Sequence, residues 1–179
     1  MTVNTTAIDH ADRRLVVALP RPYDEAREHY ETLVPHVDSA RFSQMGSWQA
    51  TQELAEINAP HGFMIYYRSD ITAAMAGSQS FWKATQYLMG NHVIAERMFR
   101  HDPSAMLHAP LRTLLYADPD GDTKLAVDQP SLLFASYGDP RIAYVGHELD
   151  TLLAQLIILL GGGLPLQLAA VYASGNENA

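Results

Sequence analysis

The chain contains no cysteine. Disulfides, thiolate metal sites and a thiol nucleophile are therefore excluded, and the fold has to hold by packing and hydrogen bonding alone. Basic residues are scarce as well, with 12 Lys and Arg against 20 Asp and Glu and a formal charge of -8. No run of Lys or Arg reverses that balance locally, so the counterion release that drives most nucleic-acid binding is missing and no nucleic-acid partner is expected. Long apolar runs are lacking too. From Leu149 to Tyr172 the chain is rich in Leu, Ile and Ala, but Asp150, Gln155, Gly161, Pro165 and Gln167 interrupt it. No stretch of about 18 apolar residues remains, and no membrane is expected. The opening segment MTVNTTAIDHADRR has no apolar region of the kind an export signal needs, which makes a cytoplasmic location the expectation. There is no Gly-x-Ser-x-Gly elbow and no phosphate-binding glycine loop, since the glycines at Gly161 to Gly163 follow a helix instead of opening one. Serine-hydrolase chemistry and nucleotide hydrolysis are set aside on that ground.

What is present suits a single domain over 1–179, with loosely held ends at about 1–12 and 165–179. A hydrophobic share of 47% over 179 residues is enough to bury a core without staples. RRLVVALP, Arg13 to Pro20, reads as a buried strand closed by proline. In the helix that follows, Tyr23, Ala26, Tyr30, Leu33 and Val34 recur at helical spacing, while Asp24, Glu25, Arg27, Glu28 and Glu31 face away. Pro35 to Gly62 reads as a connection containing one helix, with Ser47 as its cap and Ala50, Leu54 and Ile57 as a weak stripe. FMIYYRS and FWKATQYLM are strand-prone, and LRTLLYAD and TKLAVDQP flank Pro119, Asp120 and Gly121 as a hairpin. Asp128 and Gln129 stand where they can cap a short helix beginning near Pro130. The last helix opens with Asp139 as N-cap and Pro140 at its first position, carries Ile142, Val145, Leu149, Leu152, Leu153 and Leu156 as a stripe, and stops at Gly161. The order strand, helix, strand, strand, short helix, strand, strand, long helix predicts an α+β fold. A mainly antiparallel sheet of about five strands should carry helices on one face.

The stretches GFMIYYRSDITAAM, YLMGN leading into a helix, DPSAMLHAPLRTLLYADPDGDTKLAVDQPS and DPRIAYVGHELDTLLAQL together resemble the DUF302 family of small α+β domains. The resemblance covers Gly62 to about Leu160. It implies a TBP-like fold of β-α-β4-α order, a ligand-sized cleft and a homodimer, without naming a reaction. Where many relatives have a proline after the Gly-Asn pair, this chain has Gly90, Asn91 and His92.

Asn91 caps the predicted helix from His92 to about His101, and an imidazole at the first helical position feels the positive end of the backbone dipoles, which favours its neutral form. His92, Glu96 and Arg100 are spaced by four and share a helix face, so they form the candidate catalytic set of base or metal ligand, carboxylate partner and anion clamp. As a bland surface helix the same residues would only pair with one another in solvent. Strand alternation groups Met64, Tyr66 and Arg68 with Lys83, Thr85 and Tyr87 and with Arg112, Leu114 and Tyr116. Asn91, Tyr66, Tyr87, Arg112 and Tyr116 are accordingly the candidate ligand-binding residues.

No cofactor is identified by motif. The histidines show no zinc-ligand spacing, so the expectation is no metal or, at most, one held through His92. Haem on His92 beside Met89, Met98 and Met106 is a variant, though those methionines also read as core filler. Three functions compete: a homodimeric small-molecule-binding domain, an enzyme on a small anionic or aromatic metabolite with His92 as base or metal or haem ligand, and a protein-interaction module using the tyrosine-bearing face.

Overall fold

The first strand, β1 (Arg14–Ala18), buries Leu15 and Val17 and exposes Arg14, Val16 and Ala18, the period of a strand covered on one side only. The computed structural model describes residues 5–176. The expected loose ends at 1–4 and 177–179 lie outside the described residues. After Pro22 comes α1 (Tyr23–Leu33), with Tyr23, Ala26 and Tyr30 buried at steps of three and four. The connection from Pro35 to Gly62 holds two helices instead of one, α2 (Ser39–Phe42) capped by Asp38 and α3 (Trp48–Asn58) capped by Ser47. In α3 it is Leu54 and Ala55 that are buried, while Ile57 is 71% exposed. The chain continues through β2 (Met64–Asp70), α4 (Ile71–Ala74), β3 (Lys83–Gly90), α5 (His92–Phe99) and a 3-10 helix at Pro103–Leu107. It closes with the hairpin β4 (Leu111–Ala117) and β5 (Thr123–Asp128), then α6 (Pro130–Ala135), α7 (Pro140–Leu159) and α8 (Leu166–Asn176).

The five strands lie in the order β1-β5-β4-β3-β2, and every neighbouring pair is antiparallel. The hairpin turns where Gly121 takes a φ of +95° and donates to the Asp118 carbonyl. One face, built from Leu15 and Val17, Leu125 and Val127, Leu115 and Thr113, and Tyr87 and Met89, packs under the helices. There α1 is docked by polar tips that each find a partner: the Tyr23 hydroxyl meets Thr85 at 2.6 Å and the Tyr30 hydroxyl meets Thr113 at 2.9 Å. Glu31, expected to face solvent, is turned to the sheet instead, where Tyr87 and Arg68 each donate to it at 2.8 Å. Burial works to raise its carboxyl, but the two hydrogen bonds together with the charges of Arg68 and Arg27 hold it below its ordinary value.

Helix α7 starts with Asp139 accepting from the Arg141 amide and ends at Gly161 with φ +82°, as the sequence predicts. By length and composition it is able to cross a membrane, yet half of that apolar window is buried inside the domain against the sheet and α6. The two helices touch closely because Gly146 has no side chain, and a Cβ there would meet Phe134 Cβ at 3.0 Å and Ser131 Cα at 3.1 Å. Beside that contact, Asp150 is fully buried, and it caps α6 from α7 by accepting from the Ser131 amide at 2.9 Å and from Gln129 Nε2 at 2.8 Å. Neither Asp128 nor Gln129 makes the cap expected of them: the Gln129 amide oxygen accepts from Arg13 and its nitrogen serves Asp150 and Ser131. Past α7, the segment read as a loose tail forms α8, with Leu168 buried in the core.

Replacing Asp150 by Ala leaves two buried donors without an acceptor and should lower the unfolding free energy by about 2–4 kcal/mol, with Asp150→Asn costing less because one acceptor survives. Urea unfolding of the three proteins checks this, and an unchanged midpoint in the Ala variant would show that the cap carries no stability.

Candidate functional site

Strand β2 breaks its own alternation. Ile65 pairs with Met89 and Tyr67 with Leu88, so Tyr66 is an extra residue bulged between them. A bulge re-aims the side chain it carries, and the Tyr66 ring comes to lie against Gly90, where an added Cβ would meet Pro110 at 3.3 Å and the Tyr66 ring at 3.8 Å. Gly90 ends β3, and Asn91 then caps α5, its Oδ1 accepting from the Val93 amide at 3.0 Å and its Nδ2 donating to the Gly62 carbonyl at 3.2 Å. His92 occupies the first helical position. The Tyr66 hydroxyl accepts from the His92 amide at 3.0 Å and stands 2.6 Å from its Nδ1, while Phe42 meets the imidazole edge-on with ring centroids 4.3 Å apart. Burial holds the imidazole below its ordinary value, and burial likewise pushes the Tyr66 hydroxyl up, so both groups are neutral at pH 7.

Beside this pair opens a cavity of about 220 Å³. One wall is the inward stripe of α5, formed by Asn91, Ile94, Ala95 and Met98 at helical spacing. Met106, Ala109 and Pro110 from the segment leading into β4 complete the lining with Leu111, Phe134 and Leu149. His92, Asn91 and Tyr66 are the polar residues of the lining, and no Lys, Arg, Asp or Glu takes part.

The structure brings together His92, Asn91 and Tyr66 and leaves the other expected site residues elsewhere. Glu96 and Arg100 form an ion pair with each other on the outer side of α5, because the stripe through Asn91, Ile94, Ala95 and Met98 is the one that faces inward. Arg100 borders a shallow cleft with Arg97 and Arg141, each held by a carboxylate of its own, Glu148 at 2.5 Å and Asp139 at 2.6 Å. Tyr87 is in the core against Glu31. Arg112 is exposed beside a second cavity with His10, Asp12, His108 and Asp128. Tyr116 lies on the uncovered sheet face near Trp82. Tyr66, Tyr87 and Tyr116 therefore share no face: the bulge shifts β2, and pairing sets Arg112 and Tyr116 opposite Leu88 and Ala84, not beside Thr85 and Tyr87. Among the described residues no group of three or more His, Asp or Glu is placed to hold a metal ion with His92. Of the methionines read beside His92, Met98 and Met106 line the same cavity and Met89 is buried in the core. The residues that sequence reasoning missed are Phe42 and the apolar lining. The inward stripe of α5 was signalled by its spacing; Phe42, the last residue of α2 in a segment that reads as connection, had no signal.

A family model described as a domain of unknown function, DUF302, matches residues 41–160. The crystal structure of an uncharacterized conserved DUF302 protein from Bacillus stearothermophilus is similar to this chain with a TM-score of 0.61 and 15% identity, over 82% of this chain and 97% of that one. No curated protein matches.

A histidine held below its unfolded value takes up its proton more readily once the chain unfolds. His92 therefore leaves stability untouched at pH above about 6.5 and subtracts from it as pH falls from there through its depressed folded value. An NMR titration should show the His92 ring titrating below pH 6.5, and in His92→Gln the fall in melting temperature between pH 7 and 5 should be shallower. Titration of His92 at or above 6.5 would contradict the assigned burial.

Proposed function

The chain belongs to the DUF302 family, and from that premise we propose that it is a small-molecule-binding domain working as a homodimer. The reading is carried by the cavity between α5 and the β4 approach: concave, apolar, with a phenol and an imidazole meeting at one wall, which is the usual make-up of a small-ligand site. Phe42 and the second small core of Ala55, Ala59 and Met64 back the His92 ring, so the polar wall is held by packing from the α2–α3 connection.

The uncovered sheet face supports the dimer. Val16, Ala126 and Leu114 lie in register across β1, β5 and β4, and Tyr67 and Val16 are each about half exposed. The row is apolar from Val16 to Leu114 before Gln86 and Ser69 continue it, and such a patch on the sheet face turned away from the core suits the same patch of a second copy, related by a two-fold axis.

An enzyme is the second reading, favoured by one observation: a neutral His92 in contact with Tyr66 at the cavity is an acid–base pair in waiting. Glu96 and Arg100 take no part in it, since both stand outside the cavity.

Two measurements test the proposal. Native mass spectrometry of protein purified from its own host should show a retained small molecule, absent from an Ala95→Phe variant that fills the cavity; an adduct that persists in the variant would place binding elsewhere. Light scattering on a size-exclusion column should give about twice 19.8 kDa for the parent. The Val16→Glu, Tyr67→Glu double variant should run as a monomer, and a monomeric parent would remove the dimer.

A further inference from the structure

We infer that the cavity takes a neutral, single-ring carbonyl compound, such as an aromatic ketone, aldehyde or carboxamide, held by one hydrogen bond from His92 Nε2. The inference rests on the small-molecule reading above and comes from counting what the polar wall has left to offer. Asn91 holds the helix start, its oxygen accepting from the Val93 amide and one of its two N–H groups donating to the Gly62 carbonyl. Tyr66 is engaged as well. Its oxygen accepts from the His92 amide, whose proton has a fixed direction, and its own proton has His92 Nδ1 as acceptor at 2.6 Å. With the oxygen already taking the amide, we assign the Tyr66 proton to Nδ1, which leaves the proton of the neutral ring on Nε2, a nitrogen with no hydrogen-bond partner among the described residues. The wall thus offers neutral groups only, with the His92 Nε2 proton as its wholly unpartnered donor and the second N–H of Asn91 beside it.

Charge and size narrow the class further. The lining has no cationic side chain, and the arginines nearest in sequence, Arg97 and Arg100, are paired with Glu148 and Glu96 outside it. A carboxylate or phosphate entering would lose its hydration with only neutral donors in return, which does not compensate an ion. An apolar protein cavity of about 150 Å³ accommodates benzene. By that scale about 220 Å³ accommodates an aromatic ring and roughly three further non-hydrogen atoms, enough for one carbonyl substituent. Ile94, Met98, Leu111 and Phe134 supply the apolar contact for the ring.

The test titrates the full chain, by calorimetry or NMR, with three probes of matching size: acetophenone, isopropylbenzene and benzoate. Acetophenone should bind roughly three- to tenfold more tightly than isopropylbenzene, the span of one neutral hydrogen bond, and benzoate should be the weakest of the three. His92→Phe should abolish the preference for the ketone while isopropylbenzene still binds, and His92→Gln, which keeps a donor, should retain part of it. If the ketone and the hydrocarbon bind equally, or benzoate binds most tightly, the cavity reading stands and this inference is overturned. If none of the three binds, the small-molecule reading itself falls.

Discussion

A single phenol oxygen joins the two parts of the candidate site. The Tyr66 hydroxyl takes the first amide of α5, a donor with no partner inside the helix, and in the same place it meets the ring of His92. Strand and helix are thereby held at one angle, and the inward stripe of α5 is aimed at the segment around Pro110. Without the extra residue in β2, the Tyr66 side chain would follow the strand's alternation and the joint would not form. The glycine at position 90 eases the same approach, since a Cβ there would press on Pro110 at 3.3 Å.

Charge is kept away from the cavity by giving each charged group near the interior a structural partner. Asp150 caps α6, Glu31 receives Tyr87 and Arg68, and Arg97, Arg100 and Arg141 are each matched by a carboxylate. Buried carboxylates so engaged stabilise particular contacts and leave no free ion to bind a ligand. What remains open is the space left by small residues, Gly90, Ala95 and Ala109, among larger apolar neighbours. The chemistry on offer there is that of a neutral imidazole set by a phenol.

At 15% identity, the likeness to the Bacillus stearothermophilus DUF302 structure is one of fold. It is maintained by features that many sequences satisfy: alternating apolar residues on five antiparallel strands and a capped apolar helix laid across them. Packing of that kind tolerates substitution while volume and pattern persist. The bulge and the Tyr66–His92 contact are far more particular, and no general pattern of the fold demands them.

Much of the architecture was legible in the residues themselves. The strands, the Pro119–Gly121 hairpin, the Ser47 and Asn91 caps and the whole of α7 rest on local rules, because caps, turns and periodic burial involve residues within a few positions of one another. Asn91, His92 and Tyr66, which line one cavity, were candidates on the same local grounds. The Tyr66–His92 contact was not legible, nor was the placing of Glu96, Arg100, Tyr87, Arg112 and Tyr116 away from that cavity. Those outcomes depend on strand register, on one bulged residue and on which side of α5 meets the core, and all three are decided by pairing between segments distant in the chain. A period of two or of 3.6 says which residues share a side, but only tertiary contacts say what that side faces.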